Sequence, residues 1–553
     1  MKPVIIIGAG IAGLIAAVTL AQRGQRSILV STMPSERAQS VMAEGGINAA
    51  LDTKGEGDSP EEHFADTLRV GCDLADPNAV RALTEGAKEM VLWLSSLGVA
   101  FNRTEQGTLD LRYFGGQKKQ RTAFAQSSTG KQIASALIQE AHKWEAQGRI
   151  VRMNHHSMVN IAVNGQKECT GCIIRDNYTN CCQFLSGNVL LASGGMNGLF
   201  GKTTGTTQNT GAATAVAFAA GAACANLEMI QYHPTTTPIS GKRALISEAA
   251  RGEGGRLFVW RDGEKWYFME EKYPELKNLM PRDVVSRESV MACEETGEEQ
   301  VWLDMTGIDE QIFAKKLSDL RDFCLEFLNI DPKKEYIPVY PGIHYFMGGL
   351  YVDAAHRTTL SGLYAAGECA CQYHGANRLG GNSLLGAAFG GKRAAETILK
   401  EALVFESADE AALKAYQEKL QGIENRTQAI SCKKVEQKLT TCMKACMGIR
   451  RCEETLKQGA QTLSALEKML AEGKDAYASA EEKQLLLEKI QLAQAMVESA
   501  RARKESRGAQ WRSDYPERKD DSFRKTTVAR RKNDHFEIVF EDIPKEGQPW
   551  HIA

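Results

Sequence analysis

Three glycines near the start of the chain have the spacing that brings a backbone close to a phosphate. Gly8, Gly10 and Gly13 form GAGIAG after the apolar run PVIII, and the helical pattern LIAAVTLAQRG follows them. Such a turn between strand and helix lets the backbone approach a pyrophosphate at the helix N-terminus. The segment therefore predicts a dinucleotide site. Because the next strand, SILVS, ends in Ser31 and not in an acidic residue, the motif alone leaves NAD and FAD open.

A second set of residues is suited to binding anions. Two histidines and three arginines lie in segments flanked by glycine or proline: His233, His344, Arg251, Arg282 and Arg378. A dry site for carboxylates needs such cations and donors, because a charge is costly to remove from water unless it is paired. Arg378, in HGANRLGG, can bind a carboxylate through two parallel hydrogen bonds. A single histidine is usually structural, so the interpretation depends on the segments around these residues.

The strands that would position these residues are spread along the chain. Residues 3–31 form one strand–helix–strand unit, and GNVLLASGG (187–195) and LSGLYAAGECA (360–370) have the same strand-and-turn pattern. We predict an α/β fold with a Rossmann-like dinucleotide-binding domain, an inserted α+β capping domain and a helical domain after it. The predicted bounds are 1–230 with 344–400, 231–343 and 401–500, followed by a C-terminal segment, 501–553, that contains the strand HFEIVFED.

Length, charge and composition describe an ordinary globular chain. The 553 residues carry 67 basic and 69 acidic side chains, so the formal net charge is -2, and 43% are hydrophobic. A near-neutral chain has no strong field for nucleic acid or for an anionic membrane. The 14 cysteines are too dilute for a disulfide scaffold and indicate a reducing cytoplasm.

The apolar run from Val4 to Ala21 is the stretch that resembles a signal peptide or a membrane span. Its glycines have the GxGxxG spacing, and a loop and strand, AQRGQRSILVS, follow it without a cleavage-like end. No other run reaches the length that a bilayer requires. We therefore expect no targeting segment, and we expect membrane contact only through a partner.

A series of motifs in one order resembles the flavoprotein subunit of fumarate reductases and succinate dehydrogenases. They are AEGGINAAL, RYFGGQKKQRTAFAQSSTG, QYHPT, SEAARGEGG, PRD, HYFMGG, AAGEC, HGANRLGGNSL and ARKESRGA, which run from residue 43 to residue 509. L-aspartate oxidase shares several of them, and RYFGGQKKQRTAFA is more similar to fumarate reductase. The resemblance implies an FAD-binding domain and a dicarboxylate substrate.

The resemblance also implies roles for individual residues. The flavin N5 would supply a hydride to fumarate, and Arg282 would donate the proton, which Glu248 and Arg251 would relay from solvent. Because arginine has a pKa above about 12, it needs a close carboxylate relay that replaces its proton. The residues expected to contact substrate are His233, Ser247, His344, Arg378 and Phe114.

The expected flavin contacts lie in four parts of the chain. They are Gly8, Gly10, Gly13, Ser31, Gln39, Ser40, Glu44, Gly45, Gly46, Glu368, Ser383 and Leu384. The chain departs from the family at Ala212, where relatives often carry an aspartate. We expect FAD binding to survive this change, because the other contacts are numerous.

Gln39 stands where most of the family has a histidine that is linked covalently to the flavin. Glutamine has no comparable nucleophile, so we expect non-covalently bound FAD. In the family the covalent link is associated with a raised flavin potential, so its loss should favour fumarate reduction over succinate oxidation. The alternative is that a different nearby residue attaches the flavin.

The leading interpretation is a cytoplasmic fumarate reductase flavoprotein subunit that receives electrons from an iron–sulfur protein subunit. That partner would connect the chain to a quinol at the inner face of the cell membrane, through a membrane anchor, or to a soluble donor such as a thiol. The alternatives are an L-aspartate oxidase, a flavin-containing RNA-modifying or RNA-binding protein, and a catalytically silent assembly subunit. The near-neutral charge argues against nucleic acid, and the dicarboxylate set argues against both of the last two.

Two cysteine groups and one basic stretch have simpler interpretations. Cys169, Cys172, Cys181 and Cys182 have spacings similar to metal ligands, but residues three apart in a regular strand face opposite sides, so no metal site is expected. Cys432, Cys442, Cys446 and Cys452 lie in a helical region, where Cys442 and Cys446 share a face. In the segment 501–525, Arg503 or Arg507 is expected to line the flavin domain or a subunit interface.

Overall fold

The structure is a computed structural model, which describes residues 2–403, 409–424, 428–475, 477–532 and 535–548. The end of the predicted C-terminal segment, 549–553, and two short stretches of the predicted helical domain, 404–408 and 425–427, lie outside the described residues. Across the described ranges, no helix has the length and apolar character that a membrane span needs.

A five-stranded parallel sheet forms the centre of the first domain. Its strands lie in the order Leu363–Ala365, Val189–Leu191, Val4–Ile7, Ser27–Ser31 and Ile150–Asn154. The helices Ile11–Gln22, Thr129–Ala146 and Asn382–Glu401 pack together beside this sheet, in a core with Ile6 and Leu29. Because both faces of the sheet are covered, Ile5 and Ile6 are equally buried although they point to opposite sides. The predicted Rossmann-like sheet, split in sequence, is confirmed.

Two small antiparallel sheets and several helices complete this domain. One sheet contains Ile47–Asn48, Thr122–Ala123 and Leu111–Arg112, and the other contains His156–Val163, Cys169–Asp176 and Cys182–Ser186; the helices are Pro60–Val70, Pro77–Ser96 and Ala212–Ala219. The register of the second sheet shifts at Val163, opposite Cys169. This bulge puts Cys169 and Cys172 into the same apolar core, so the expectation that they face opposite sides is wrong. Cys182 packs in a separate cluster, and Cys181 is exposed.

The inserted region forms a six-stranded antiparallel sheet with helices. The strand order is Arg243–Leu245, Ile230–Pro238, Ile337–Phe346, Val301–Asp304, Arg256–Arg261 and Glu264–Trp266, and the helices are Ala249–Gly252, Phe268–Lys272, Arg282–Thr296, Glu310–Lys316 and Ser318–Phe323. The first and last strands along the chain, Ile230–Pro238 and Ile337–Phe346, pair side by side. They therefore enter and leave the capping region together, and each carries one of the two site histidines.

In its described residues the predicted helical region contains the helices Asp409–Glu424, Cys432–Cys446, Glu453–Glu472 and Ala480–Ala502. Ser479 and Glu482 form a capping box at the start of the last helix. Within this region, the short strand Gln428–Ile430 pairs with Gly473–Asp475. A second short strand, Arg450–Arg451, pairs with Trp511–Arg512 and so joins the region to the C-terminal segment. Cys442 and Cys446 share a helix face, as expected, and both lie against Gly459.

The C-terminal segment is an integral part of the fold and not a peripheral tail. After the helix Asp520–Phe523, the hairpin Lys525–Lys532 and His535–Asp542 completes a five-stranded sheet with Cys224–Ala225, Gly349–Tyr351 and Ala370–Cys371. Arg503 contacts Glu228, and Arg507 Nη1 donates to the carbonyl of Cys72 over 3.0 Å, so the expectation of a flavin-domain contact holds for both arginines. The expectation of a subunit interface is wrong for both arginines, because Arg503 and Arg507 are buried within the chain.

Candidate active site

One long cavity of about 650 Å³ runs from the N-terminal glycine turn to the capping strands. Most of the residues expected from the sequence line it: Gly8, Gly10, Ser31, Gln39, Ser40, Glu44, Gly45, Gly46, Phe114, His233, Ser247, Glu248, Arg282, His344, Glu368, Arg378, Ser383 and Leu384. Gly13 and Arg251 do not line the cavity, but Gly13 lies against the carbonyl of Gly8 and Arg251 pairs with Glu248, and both of these partners line it. The cavity therefore joins the two predicted sites, for a dinucleotide and for carboxylates, in one space.

The glycine turn makes a cradle that suits a pyrophosphate. A Cβ on Gly8, whose φ is +115°, would overlap the carbonyl oxygen of Ala192, and a Cβ on Gly13 would overlap the carbonyl oxygen of Gly8. The turn therefore holds its helix close to the sheet only because these positions lack side chains. The N-cap residue of the helix Ile11–Gln22 is Gly10, which has no side chain that could cap it. The Ile11 N–H instead donates to Ser40 Oγ over 3.3 Å. The start of this helix, with its positive dipole end, lines the cavity.

The middle of the cavity contains uncharged or weakly charged groups. Gln39 begins a short 3-10 helix, Gln39–Met42, and its Oε1 accepts a hydrogen bond of 2.6 Å from the backbone N–H of Thr206. Glu368 Oε1 accepts from the N–H of Phe346 over 3.1 Å, and burial raises the pKa of Glu368 to about 7. Burial likewise raises the pKa of Glu44 to about 8. These groups and the glycine cradle fit the long, mostly uncharged body of a flavin dinucleotide.

Two histidines from neighbouring strands meet at the other end. The ring centroids of His233 and His344 are 5.1 Å apart, in an edge-to-face arrangement. His344 Nδ1 is 2.8 Å from Thr204 Oγ1, whereas His233 Nε2 has no hydrogen-bond partner among the described side chains. Burial, reinforced by the guanidinium of Arg282, holds the pKa of both histidines well below 6.5. Both are therefore neutral at pH 7, and His233 has a free nitrogen for a ligand.

A carboxylate lies between two arginines behind these histidines. Arg282 Nη2 is 2.6 Å from Glu248 Oε2, and Arg251 Nη2 is 3.1 Å from Glu248 Oε1. Burial disfavours the charged form of Glu248, but Arg282 and Arg251 outweigh it and lower its pKa to about 2. Arg251 also donates to the carbonyl of Asn278 over 2.5 Å. The three side chains form one buried line with the Arg282 end in the cavity.

Arg378 is the third guanidinium of the site. Its Nη2 donates to Gln231 Oε1 over 3.1 Å, and Arg282 Nη1 donates to the same oxygen over 3.1 Å. Burial, together with the charge of Arg282, lowers the pKa of Arg378. Gln231 Nε2 in turn donates to Asn377 Oδ1 and to the Arg378 carbonyl. A single neutral amide thus brings the two guanidiniums together.

Phe114 and Ser247 complete the wall, and two glycines make room for the Phe114 side chain. A Cβ on Gly45 would come within 2.8 Å of the Phe114 ring, and one on Gly380 would come equally close to Phe114 Cβ. Ser247 lies directly before Glu248, and its Oγ accepts from the N–H of Ala249 over 3.4 Å. Three residues at this end were not predicted from the sequence, namely Gln231, Thr204 and Tyr345, although Gln231 and Tyr345 lie inside the motifs QYHPT and HYFMGG.

The charges at this end select an anion. Arg251, Arg282 and Arg378 face one ionised carboxylate, that of Glu248, and the histidines are neutral. The guanidiniums therefore outnumber the ionised carboxylates in this buried space, and an anionic ligand such as a dicarboxylate would offset the excess positive charge. At the same end, the guanidinium of Arg282, paired with Glu248, lines the cavity.

Comparisons with known proteins agree with this geometry. Residues 3–384 match the FAD binding domain family, and residues 436–550 match the family described as fumarate reductase flavoprotein C-term. The chain is 37% identical to a succinate dehydrogenase flavoprotein subunit of Bacillus subtilis, with 97% of this chain and 95% of that protein covered. It is 31% identical to an L-aspartate oxidase of Streptomyces coelicolor, with 99% and 94% covered.

A solved structure shows the same architecture. The chain superposes on a variant of E. coli quinol fumarate reductase with a TM-score of 0.88, at 29% identity, covering 99% of this chain and 97% of that one. The two family matches span most of the chain, and the cavity carries the side chains that the shared motifs predict. The chain therefore belongs to the family of FAD-dependent flavoprotein subunits of succinate dehydrogenases and fumarate reductases.

Proposed function

We propose that this chain is a catalytic flavoprotein subunit that reduces fumarate to succinate with non-covalently bound FAD. The observation that carries the proposal is the excess of guanidiniums, Arg251, Arg282 and Arg378, over ionised carboxylates at the capping end of the cavity, where Arg282 and Arg378 line the same space. Fumarate and succinate are dianions of the matching charge. The reverse reaction, succinate oxidation, uses the same contacts.

The side chains divide into groups with separate tasks. Arg378 binds one carboxylate of the substrate, and His233 and His344 hold the other as neutral hydrogen-bond donors. Phe114 and Ser247 close the wall, which keeps water away from the reacting carbons. Bound FAD supplies the hydride for one carbon of the double bond.

The proton for the other carbon comes from Arg282. A guanidinium is a weak acid in water, but Glu248 lies 2.6 Å from Arg282 Nη2 and shares its second oxygen with Arg251. Glu248 is therefore placed to pass a proton from Arg251 to Arg282 as the latter loses its own. The carboxylate acts through Arg282, whose guanidinium enters the cavity.

Gln39 supports both the non-covalent cofactor and the reductive direction. Its amide accepts a backbone hydrogen bond from Thr206 and has no nucleophilic nitrogen for a bond to the flavin. The glycine cradle, Ser40 and Glu368 would hold the dinucleotide without such a bond. Without the covalent link we expect a lower flavin potential, which favours fumarate reduction.

Electrons must reach the flavin from outside this chain. The neighbours in structure include a complex described as quinol-fumarate reductase with menaquinol molecules, 29% identical with a TM-score of 0.90. By this analogy we infer an iron–sulfur protein subunit as the partner, with a membrane quinol at the inner face of the membrane or a soluble thiol as the donor. We also propose that the domains have the bounds that were predicted from the sequence.

One preparation tests both halves of the proposal. The purified, FAD-loaded chain should oxidise reduced viologen in a fumarate-dependent way without any partner subunit. Acid precipitation should then release intact FAD into the supernatant. A flavin-loaded chain that leaves fumarate unreduced contradicts the activity, whereas flavin in the precipitate contradicts only the role of Gln39.

L-aspartate oxidase is the second candidate, because a relative with that name is 31% identical over nearly the whole chain. Its substrate carries an α-ammonium group beside the carboxylates. In a pocket with three guanidiniums and one carboxylate, a further cation is unfavourable. Oxidation of L-aspartate by the chain alone, with oxygen as acceptor, would overturn the preference for fumarate.

A further inference from the structure

A buried tyrosine lies directly on the arginine that binds the substrate carboxylate. The Cζ of Arg378 is 4.4 Å from the ring centroid of Tyr345, which is the residue after His344 on the strand Ile337–Phe346. Tyr345 is 8% exposed and Arg378 is 2% exposed, so both lose most of their water. A desolvated guanidinium over an aromatic ring is attracted by the negative face of the ring.

A histidine outside the predicted site holds this ring in place. His374 Nε2 is 3.2 Å from the hydroxyl of Tyr345, and the two ring centroids are 5.4 Å apart at an interplanar angle of 79°. His374 is buried, and its Nδ1 has no hydrogen-bond partner among the described side chains. The Tyr345 hydroxyl is therefore the contact that fixes this imidazole and the tyrosine relative to each other.

The other contacts of Arg378 do not fix its plane. Nη2 donates to Gln231 Oε1 over 3.1 Å, Nη1 makes a 3.4 Å contact with the Leu379 carbonyl, and Nε has no partner. A planar group that is held at one edge remains free to tilt about that edge. Because the face of the Tyr345 ring uses none of the five N–H donors, it can fix the tilt and leave the other donors for a ligand.

We propose that Tyr345 is a positioning residue for the substrate carboxylate, with its ring setting the plane of Arg378 and His374 setting the ring. The inference rests on the proposed function, since it takes the ligand to be a dicarboxylate. An acidic residue in the place of Tyr345 would also hold Arg378, but it would consume the charge that the substrate needs. An aromatic face holds the guanidinium and preserves its charge.

The test measures binding and turnover separately on the FAD-loaded chain. Succinate is titrated against the flavin absorbance of the wild type and of Tyr345→Leu, Tyr345→Phe and His374→Gln. We expect Tyr345→Leu to raise the Kd of succinate about tenfold, and the KM of fumarate with it, while kcat changes by less than about threefold. Tyr345→Phe keeps the ring, so both it and His374→Gln should raise Kd by less than Tyr345→Leu does.

A monocarboxylate and a matched control separate positioning from general damage. Propionate carries one carboxylate, so the preference for succinate over propionate should shrink in Tyr345→Leu. Tyr416→Leu removes a buried ring from the helical region that does not line the cavity, and it should leave both constants unchanged. If Tyr345→Leu loses FAD, Tyr345→Met, which fills a similar space with a flexible chain, replaces it.

The outcomes are distinct for the two proposals. If the wild type binds and reduces no dicarboxylate, the proposed function fails. If the wild type does so and Tyr345→Leu has the same Kd, or loses kcat with an unchanged Kd, the positioning role of Tyr345 is refuted while the function stands. An equal rise for Tyr345→Phe and Tyr345→Leu would also refute it, because the ring would then contribute nothing.

Discussion

Glu248 shows how much of the chemistry depends on the surroundings of one residue. It is 3% exposed, yet its pKa is about 2, because two guanidiniums outweigh the cost of burying its charge. The folded pKa lies below the ordinary value of 4.5, so its contribution to stability is complete above pH 4.5 and is lost as the pH falls towards 2. At neutral pH the carboxylate is therefore ionised and can accept a proton from Arg251.

Glu248→Gln removes this acceptor and keeps the shape of the side chain. We expect kcat for fumarate reduction to fall by about a hundredfold or more, because general acid catalysis typically contributes that much. The Kd of succinate should not rise, since in the proposed binding mode the substrate carboxylates contact Arg378 and the histidines. Steady-state rates with reduced viologen and a flavin absorbance titration measure the two quantities.

Glu270→Gln is the matched control for that substitution. Glu270 forms an ion pair of 2.6 Å with Arg256 at the surface of the capping region, away from the cavity. Its kcat should equal that of the wild type, because a surface ion pair contributes little. A Glu248→Gln enzyme with wild-type kcat would show that Arg282 receives its proton by another route.

At the scale of elements, the turn between the first strand and the first helix was predictable, and the site histidines were predictable only in part. A glycine turn is a local device, so the sequence is enough to locate it. The pairing of Ile230–Pro238 with Ile337–Phe346 joins residues more than a hundred positions apart. That pairing brings Gln231 opposite Tyr345 and explains why neither was foreseen. The bulge beside Cys169 escaped prediction for the same reason, since register depends on the partner strand.

Gly8→Ala tests the glycine turn as an element. The new Cβ would overlap the Ala192 carbonyl at a φ of +115°, so we expect a loss of about 3 kcal/mol in the free energy of unfolding and purification without flavin. The ratio of flavin to protein absorbance after gel filtration measures the second effect. Gly165→Ala, where a Cβ meets no atom within 4 Å, should keep its FAD. A yellow Gly8→Ala protein would show that the turn has room the structure does not reveal.

At the scale of the molecule, the C-terminal segment closes the fold through a buried ion network. Arg503 Nε is 2.7 Å from Glu228 Oε1 and its Nη1 is 2.9 Å from Glu505 Oε1, which Arg507 also contacts. All four side chains have no exposed surface. The sequence showed only alternating charges in this segment, and nothing in that pattern indicates that they turn inwards to a glutamate nearly three hundred residues earlier.

Arg503→Met is the variant that tests whether this network holds the segment to the first domain. Removing one partner of a buried ion pair leaves the others uncompensated, which typically costs about 3–5 kcal/mol. We expect a clear fall in Tm by differential scanning fluorimetry and faster proteolysis near residue 503, with the KM of fumarate unchanged in the protein that remains folded. Arg530→Met is the matched control. Arg530, on the strand Lys525–Lys532, forms a partly exposed ion pair with Glu541, so the Tm of this variant should stay close to that of the wild type. Equal Tm values for the two variants would mean that the apolar side of the C-terminal hairpin, and not the ion network, attaches the segment.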